Sequence, residues 1–232
     1  MEPLRQHPSR TATAEHRWPA IVALAAALAL YALLPNAILG PQRYIVVGVG
    51  LALLVPLVVA NPRRLTRQTP STRGLSVVFA SLLVATNQVT LLFLLGTLVD
   101  PQQDAPGLLV AALQVWAVNV IGFTTLYWEL DRGGPVARTM LARADLPPAD
   151  LRFPQDEDDD AVTEVAARSS AVVDWTPRYV DYLYSTLANS MAFSATDAMP
   201  LSPRFKLLWS LQAFGGFLIL ALVIARSVNI LA

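Results

Sequence analysis

The chain has 232 residues, of which 54% are hydrophobic and 15% are charged, and its formal net charge is zero. This balance favours a protein embedded in lipid over one or two soluble domains. A chain with no net charge predicts no nucleic-acid partner. Because the chain contains no cysteine, disulfides and thiolate metal sites are excluded, and the redox compartment stays undetermined.

Five long apolar stretches follow one another along the chain and predict membrane-spanning helices. Even the shortest extends over about 25 Å as an α-helix, which is enough for a thin bilayer. The sequence therefore predicts an all-α fold, a polytopic transmembrane helical bundle with five helices and one further ambiguous segment. The predicted helices are Trp18–Leu34, Tyr44–Ala60, Leu75–Leu98, Leu108–Tyr127 and Leu207–Leu231.

The first of these stretches has an alternative interpretation as a cleaved signal peptide. No small-residue cleavage pattern follows Leu34, and a second apolar stretch comes almost at once, so a retained helix is favoured. At the end of the fourth stretch, Glu129, Asp131 and Arg132 predict the exit of the chain into water.

Composition divides the chain into four regions. Residues 1–17 form a polar tail, 18–132 a four-helix transmembrane region, 133–175 an acidic linker with several prolines, and 176–232 a C-terminal membrane module. The linker contains the acidic run DEDDD at 156–160. Such a run could attract divalent cations, but a solvated linker is the commoner role of five successive acids.

The arginines predict how the chain is oriented. If the amino terminus is cytoplasmic and every apolar stretch crosses, the tail and the loop after the second helix bring most early arginines inside. The loop after the third helix, which would be outside, contains no Lys or Arg. This distribution satisfies the positive-inside rule, and we expect a cytoplasmic amino terminus.

The ambiguous segment is Tyr179–Met199, which is weakly apolar and contains Asp181, Asn189, Thr196 and Asp197. If it crosses the membrane, the carboxyl terminus is cytoplasmic. If it dips in and returns, the carboxyl terminus is outside, and the dipping backbone must be shielded by protein or line a water-filled cavity. We favour the crossing.

The last quarter of the chain resembles a family of bacterial multipass proteins that is known only as a domain of unknown function. The resemblance rests on Pro177–Lys206, which contains PRYVDYLYSTLANSMAFSATDAMPLSPRFK, on Phe153-Pro154 upstream, and on the closing Val228-Asn229-Ile230. It is best from Trp116 onward. The resemblance implies a bacterial inner-membrane protein of about this length and implies no activity.

A second resemblance concerns Leu183–Lys206, which is similar to the pore helix, filter and following turn of the two-helix potassium-channel module. Thr196-Asp197-Ala198-Met199-Pro200 stands where that family has Gly-Asp-x-x-Pro. Phe193, Ser194 and Ala195 replace the glycines that let a potassium filter stack its carbonyl rings. The resemblance therefore implies, as an alternative, a degenerate pore that is not potassium-selective and is built by a homo-oligomer.

Two groups of polar residues are candidates for function. The first is the set Asp181, Asn189, Ser194, Thr196 and Asp197 in the C-terminal module, where the carboxylates could work at membrane depth or simply lie at the interfaces. For Asp181 the candidate partners are Arg178 and Arg204. The second is the set Asn87, Gln88, Gln114 and Asn119, which could line a polar path but more commonly would join helices by hydrogen bonds.

The sequence predicts no catalytic residues, no cofactor and no metal site. Both histidines, His7 and His16, lie in the tail, and the single lysine, Lys206, is outside any glycine-rich loop, so neither a catalytic triad nor a P-loop is predicted. We predict a non-enzymatic solute or ion pathway or a membrane scaffold. The alternatives are the oligomeric pore and a subunit whose acidic linker binds an unidentified partner protein; the lipid bilayer is the predicted surrounding in each case.

Overall fold

The computed structural model describes residues 11–98, 105–157, 160–191 and 198–231. These residues form an almost entirely helical structure with one two-stranded antiparallel sheet, in which β1 (Leu151–Arg152) pairs with β2 (Met199–Pro200). The helices are α1 (Trp18–Ala32), α2 (Asn36–Leu39), α3 (Gln42–Ala60), α4 (Pro70–Leu98), α5 (Ala105–Leu130), α6 (Pro135–Met140), α7 (Thr163–Ala166), α8 (Ser170–Val173), α9 (Tyr179–Ser190) and α10 (Pro203–Leu231). The predicted all-α class is confirmed.

Four helices among the described residues, α3, α4, α5 and α10, are long and apolar enough to cross a membrane. The first predicted stretch, Trp18–Leu34, forms α1, which is apolar but has 15 residues. All four long helices begin before the predicted residue, and the differences are largest for α4, which begins at Pro70, and α10, which begins at Pro203. Each of these two starts with a proline, which suits the first helical turn because its missing N–H would have no partner there.

The five apolar helices run between two ends of the bundle, which we call proximal and distal. At the proximal end, the backbone N–H of Arg17 donates to the carbonyl of Arg63 at 3.1 Å, and the Arg73 side chain binds the carbonyl of Gly133 just beyond α5. This places the start of α1, the end of α3, the start of α4 and the end of α5 together. The distal end contains α2 and the opposite ends of the same helices.

The segment that begins with α9 does not cross, and the favoured interpretation of the sequence is wrong here. The backbone N–H of Tyr179 donates to the Glu15 carboxylate at the proximal end, at 2.6 Å, and α9 then runs 12 residues into the bundle. Yet β2 is paired with β1 at the same end, and the N–H of Leu201 donates to the carbonyl of Asp150 at 2.8 Å. The segment therefore enters and leaves at the proximal end.

The described residues between α5 and α9 fold over the proximal end as a cap. Asp131 is fully buried: its carboxylate accepts the backbone N–H of Asp150 at 2.7 Å and the Tyr182 hydroxyl at 2.5 Å. The predicted exit of Asp131 into water is therefore wrong. In the acidic run, Asp156 accepts bonds from Arg132 at 2.6 Å and from Ser170 at 3.0 Å; residues 158–159 of that run lie outside the described residues.

Candidate functional site

The inner half of α9 is held by a polar cluster centred on Gln212 of α10. The Gln212 side chain is fully buried, and its amide N–H donates to the carbonyl of Thr186 at 2.6 Å. Its amide oxygen accepts from Asn189 at 2.9 Å and from the Tyr127 hydroxyl at 3.3 Å. Gln212 thus links α9, α5 and α10, although the sequence analysis did not single it out. The sequence does contain a signal for this residue, because Gln212 is an amide within the apolar stretch Leu207–Leu231.

Asn189 is the predicted site residue that this cluster contains. Besides its bond to Gln212, its amide N–H donates to the carbonyl of Trp209 at 3.1 Å. Both bonds join the inner half of α9 to α10. They fix the position of the helix by neutral amide contacts rather than by charge.

The inner end of α9 lies against the backbone of α10. A Cβ atom built on Gly216 would lie 2.6 Å from the carbonyl oxygen of Ser190 and 3.2 Å from its Cα. Backbone atoms cannot swing aside as a flexible side chain can, so only glycine permits this approach. The tip of α9 is therefore fixed at the level of Gly216, well inside the bundle.

Asp181 lies at the opposite end of the same helix, in its first turn. Its carboxylate accepts the backbone N–H of Arg178 at 2.7 Å, which satisfies one of the free N–H groups at a helix start. Of the two predicted partners, Arg178 is thus adjacent, whereas Arg204 pairs with Asp150. Asp181 and Asn189 are not brought together. Ser194, Thr196 and Asp197 lie outside the described residues.

The second candidate set forms a separate amide cluster between α4 and α5. The amide oxygen of Asn119 accepts from Asn87 at 3.2 Å and from Gln88 at 2.9 Å, and the hydroxyl of Tyr31 in α1 is 3.5 Å from the amide oxygen of Asn87. Within the described residues, the amide nitrogen of Asn119 has no hydrogen-bond partner. The arrangement joins three helices, as expected for interhelical bonds.

Gln114 does not belong to this cluster. Its amide oxygen is buried and has no hydrogen-bond partner in the described part of the chain. The four residues that were grouped by sequence thus divide into a bonded set of three and one separate residue. Tyr31, which completes the bonded set, was not predicted, although its hydroxyl is a polar group within an otherwise apolar stretch.

Buried charges at the proximal end were also missed by the sequence analysis. The Glu15 carboxylate accepts bonds from the Trp128 indole at 3.0 Å and from the backbone of Tyr179. Burial raises the pKa of Glu15 above its ordinary value of 4.5, and the positive charge of Arg138 opposes that rise. The fully buried Arg138 guanidinium donates to the carbonyl of Trp128 at 2.7 Å and lies 5.0 Å from the Tyr182 ring centre.

These features define an all-α membrane protein with a half-length helix inserted from one end. Comparison with protein-family models, with curated proteins and with solved structures finds no match for the chain. Its function is therefore argued from the site alone. The groups around the inner half of α9 are neutral amides, hydroxyls and backbone carbonyls, which can contact a polar solute or an ion.

Proposed function

We propose that the protein is a polytopic, non-enzymatic membrane protein that provides a pathway for an ion or a small polar solute beside α9. The observation that carries the proposal is that this segment enters and leaves at the same end of the bundle. Half-length helices and returning backbone are tolerated at membrane depth only where protein covers them or where they line a water-filled cavity.

The direction of α9 favours a cation as the transported species. The carbonyl ends of its peptide groups point toward Ser190, the end that lies inside the bundle, and the carboxyl end of a helix carries partial negative charge. In transporters with interrupted helices, such inner helix ends and unwound carbonyls contact coupling cations. The oxygen-rich cluster around Gln212 lies beside the same half of α9.

Flux through purified protein in phospholipid vesicles tests the pathway. We expect vesicles that contain the protein to dissipate an imposed Na⁺, K⁺ or H⁺ gradient faster than empty vesicles. The Asn189→Leu variant removes two bonds that position α9 and should lower that flux. Asn36→Leu, an exposed asparagine in α2, is the matched control and should leave the flux unchanged.

The result that would contradict the proposal is equal gradient decay in empty and protein-containing vesicles for all three cations and for a neutral polyol. The protein must remain monodisperse in detergent for that result to count. A scaffold role would then be the better interpretation, since the amide clusters join helices in either case.

We also propose that the proximal end faces the cytoplasm of a bacterial cell and that the protein lies in the inner membrane. Among the described residues, the basic side chains that belong to the distal end are Arg43 and Arg226, and the others lie in the cap, in the proximal loops or near proximal helix ends. This asymmetry is the one that the positive-inside rule associates with cytoplasmic loops.

Cysteine labelling tests this orientation directly, because the native chain has no cysteine. Ala37→Cys is exposed at the distal end, and Ala167→Cys is exposed in the cap. With a membrane-impermeant maleimide on intact spheroplasts, we expect Ala37→Cys to react at once and Ala167→Cys to react only after permeabilisation. The reverse pattern would place the cap outside.

An oligomeric pore is the second candidate function, and the outer flank of α9 supports it. Val180, Tyr184 and Met191, which are 61%, 63% and 55% exposed, form a stripe that no described residue covers. A second copy packed on this stripe would shield the segment from lipid, as its position requires. Tyr184→Cys should then form disulfide-linked dimers in membranes, whereas Leu92→Cys on the exposed side of α4 should not.

A further inference from the structure

A groove of about 690 Å³ lies between α5 and α10, directly beyond the inner end of α9. Ser190 and Met191 form its roof, Leu113 and Trp116 one wall, and Ile219 and Val223 the other. The half-length helix explains the groove. In the proximal half of the bundle α9 packs against α5 and α10, whereas in the distal half no described helix takes its place.

The groove lies in the distal half of the bundle. Trp116 is about 21 Å along α5 from its proximal end at Leu130, and Ile219 is about 24 Å along α10 from its start at Pro203. Both helices belong to the four that are long and apolar enough to span a membrane. The groove therefore opens on the lateral surface of the bundle, between two helices of membrane-spanning length.

We propose that this groove binds one acyl chain of a membrane phospholipid of the distal leaflet. Protein interiors close-pack, and a gap of this size forfeits the dispersion contacts of its whole lining if it stays empty. Water is a poor occupant because the walls are apolar and offer too few hydrogen-bond partners. The surrounding solvent at this depth is acyl chains, and they have the length and the chemistry to fill the space.

No described residue closes the side of the groove. Leu113 at the edge of the groove is 63% exposed and Met191 in its roof is 55% exposed, whereas Ala112 at its floor is fully buried. A chain can thus enter from the side and end against the floor. The bound chain supports the tip of α9 from below, at the position where Gly216 fixes it from the side.

Fluorescence quenching by a phosphatidylcholine with brominated acyl chains tests the proposal, because bromine quenches tryptophan only on contact and Trp116 lines the groove. The contribution of Trp116 is the difference between the native protein and Trp116→Phe, both purified in detergent and titrated with the brominated lipid. We expect this difference to reach a plateau at one lipid per chain. The exposed Trp18 should instead be quenched progressively, as annular lipid accumulates.

Two groove-filling variants and one matched control complete the experiment. Val223→Phe and Leu220→Phe occupy the groove from the α10 side and should weaken the saturable quenching by about threefold or more. Val89→Phe, which adds the same group on the exposed face of α4, should leave it unchanged. Two groove variants are used so that poor folding of one leaves the other as the test.

Two outcomes would overturn the acyl-chain proposal. One is quenching of Trp116 that rises without a plateau, as it does for annular lipid alone. The other is no quenching of Trp116 at any ratio, which is the result expected if a second copy of the chain fills the groove. The proposal rests on membrane insertion and not on the pathway, so vesicles without flux but with saturable quenching would refute the proposed function and leave this site intact.

Discussion

At the scale of single residues, neutral amides organise the interior of this bundle. Asn119 receives two hydrogen bonds from α4, and Gln212 connects three helices. In a membrane, such bonds are usually worth less than their burial suggests, because the unfolded chain in lipid also finds partners. They nevertheless specify which helices meet, since an amide left without a partner at that depth is costly.

We predict that Asn119→Leu destabilises the protein by about 1–2 kcal/mol, because the amide donors of Asn87 and Gln88 then lose their shared acceptor. Denaturation in mixed detergent and dodecyl sulfate micelles, followed by circular dichroism, measures the change. Gln114→Leu on the same helix is the control. Its buried amide oxygen has no partner to lose among the described residues, so its midpoint should be equal to or above that of the native protein.

Glu15 should give stability a specific pH dependence. Burial raises its pKa in the folded state, so the folded protein binds this proton more tightly than the unfolded chain does. The stabilisation from the raised pKa is fully present below 4.5, the ordinary value, and is lost as the pH rises through the folded value. The melting temperature of the native protein should therefore decline over that window more steeply than that of Glu15→Gln.

The comparison between the two curves isolates Glu15 from other carboxyl groups, which both proteins share. The melting temperatures of the two proteins should be measured from pH 4 to pH 8 in one detergent at constant ionic strength. Equal slopes of melting temperature against pH would refute this account. A steeper decline for Glu15→Gln would mean that Arg138 outweighs burial.

At the scale of elements, the close approach of α9 and α10 depends on Gly216. We predict that Gly216→Ala separates the two helices and lowers stability by about 1–3 kcal/mol, because the new methyl group meets the backbone of Ser190 and the helices must move apart. Thermal unfolding in detergent, monitored by size-exclusion fluorescence, reports the loss.

Gly48→Ala provides the contrast. No atom outside its own helix neighbourhood lies within 4 Å of a Cβ built at Gly48, and replacing a glycine in a helix interior usually gains about 0.5–1 kcal/mol. The two identical changes should therefore shift the melting temperature in opposite directions. A shift in the same direction would show that helix propensity, and not the contact with Ser190, decides the effect.

The sequence predicted the apolar helices well because their signal is local. Long uncharged stretches such as the one that forms α4 are energetically favourable only in a non-aqueous surrounding, so composition alone identifies them. The path of α9 was predicted wrongly for the opposite reason. It depends on the pairing of β1 with β2, two short strands far apart in sequence, and nothing in the weak hydropathy of Tyr179–Met199 encodes that pairing.

The same limit applies to the candidate residues. Asn87, Gln88 and Asn119 were identified because amides are conspicuous in apolar helices, but their bonding pattern depends on how α4 and α5 rotate against each other. Asp131 was predicted to mark the helix exit into water, whereas folding of the cap buries it. Burial of a charge by a distant segment is a tertiary effect that hydropathy cannot express.

At the scale of the whole molecule, Asp131 ties the cap to the membrane-embedded part. Its carboxylate is shared by the backbone of Asp150 and Leu151 in the cap and by Tyr182 in α9. Asp131→Ala leaves these donors without their acceptor, which is more costly than the net value of the bonds. We predict that this variant loosens the cap while the long apolar helices stay inserted.

Limited trypsin digestion measures the loosening. Cleavage after Arg143 or Arg152 should be faster in Asp131→Ala than in the native protein. Asp145→Ala, an exposed acidic residue of the same cap, is the control and should be cleaved at the native rate. Equal rates in all three proteins would mean that the cap is held by its apolar contacts, such as those of Phe153 with Tyr182, and not by Asp131.

Both ends of the segment that contains α9 are attached to one small group of residues in the cap. Tyr182 near the entry and β2 near the exit are bound to the same few cap residues around Asp131 and Leu151. The inner half of α9 is in turn bonded to α10 through Asn189 and Gln212, so a tilt of these cap residues would be transmitted through α9 to α10. Movement of the cap at the proximal end is therefore coupled to the interior of the bundle through α9.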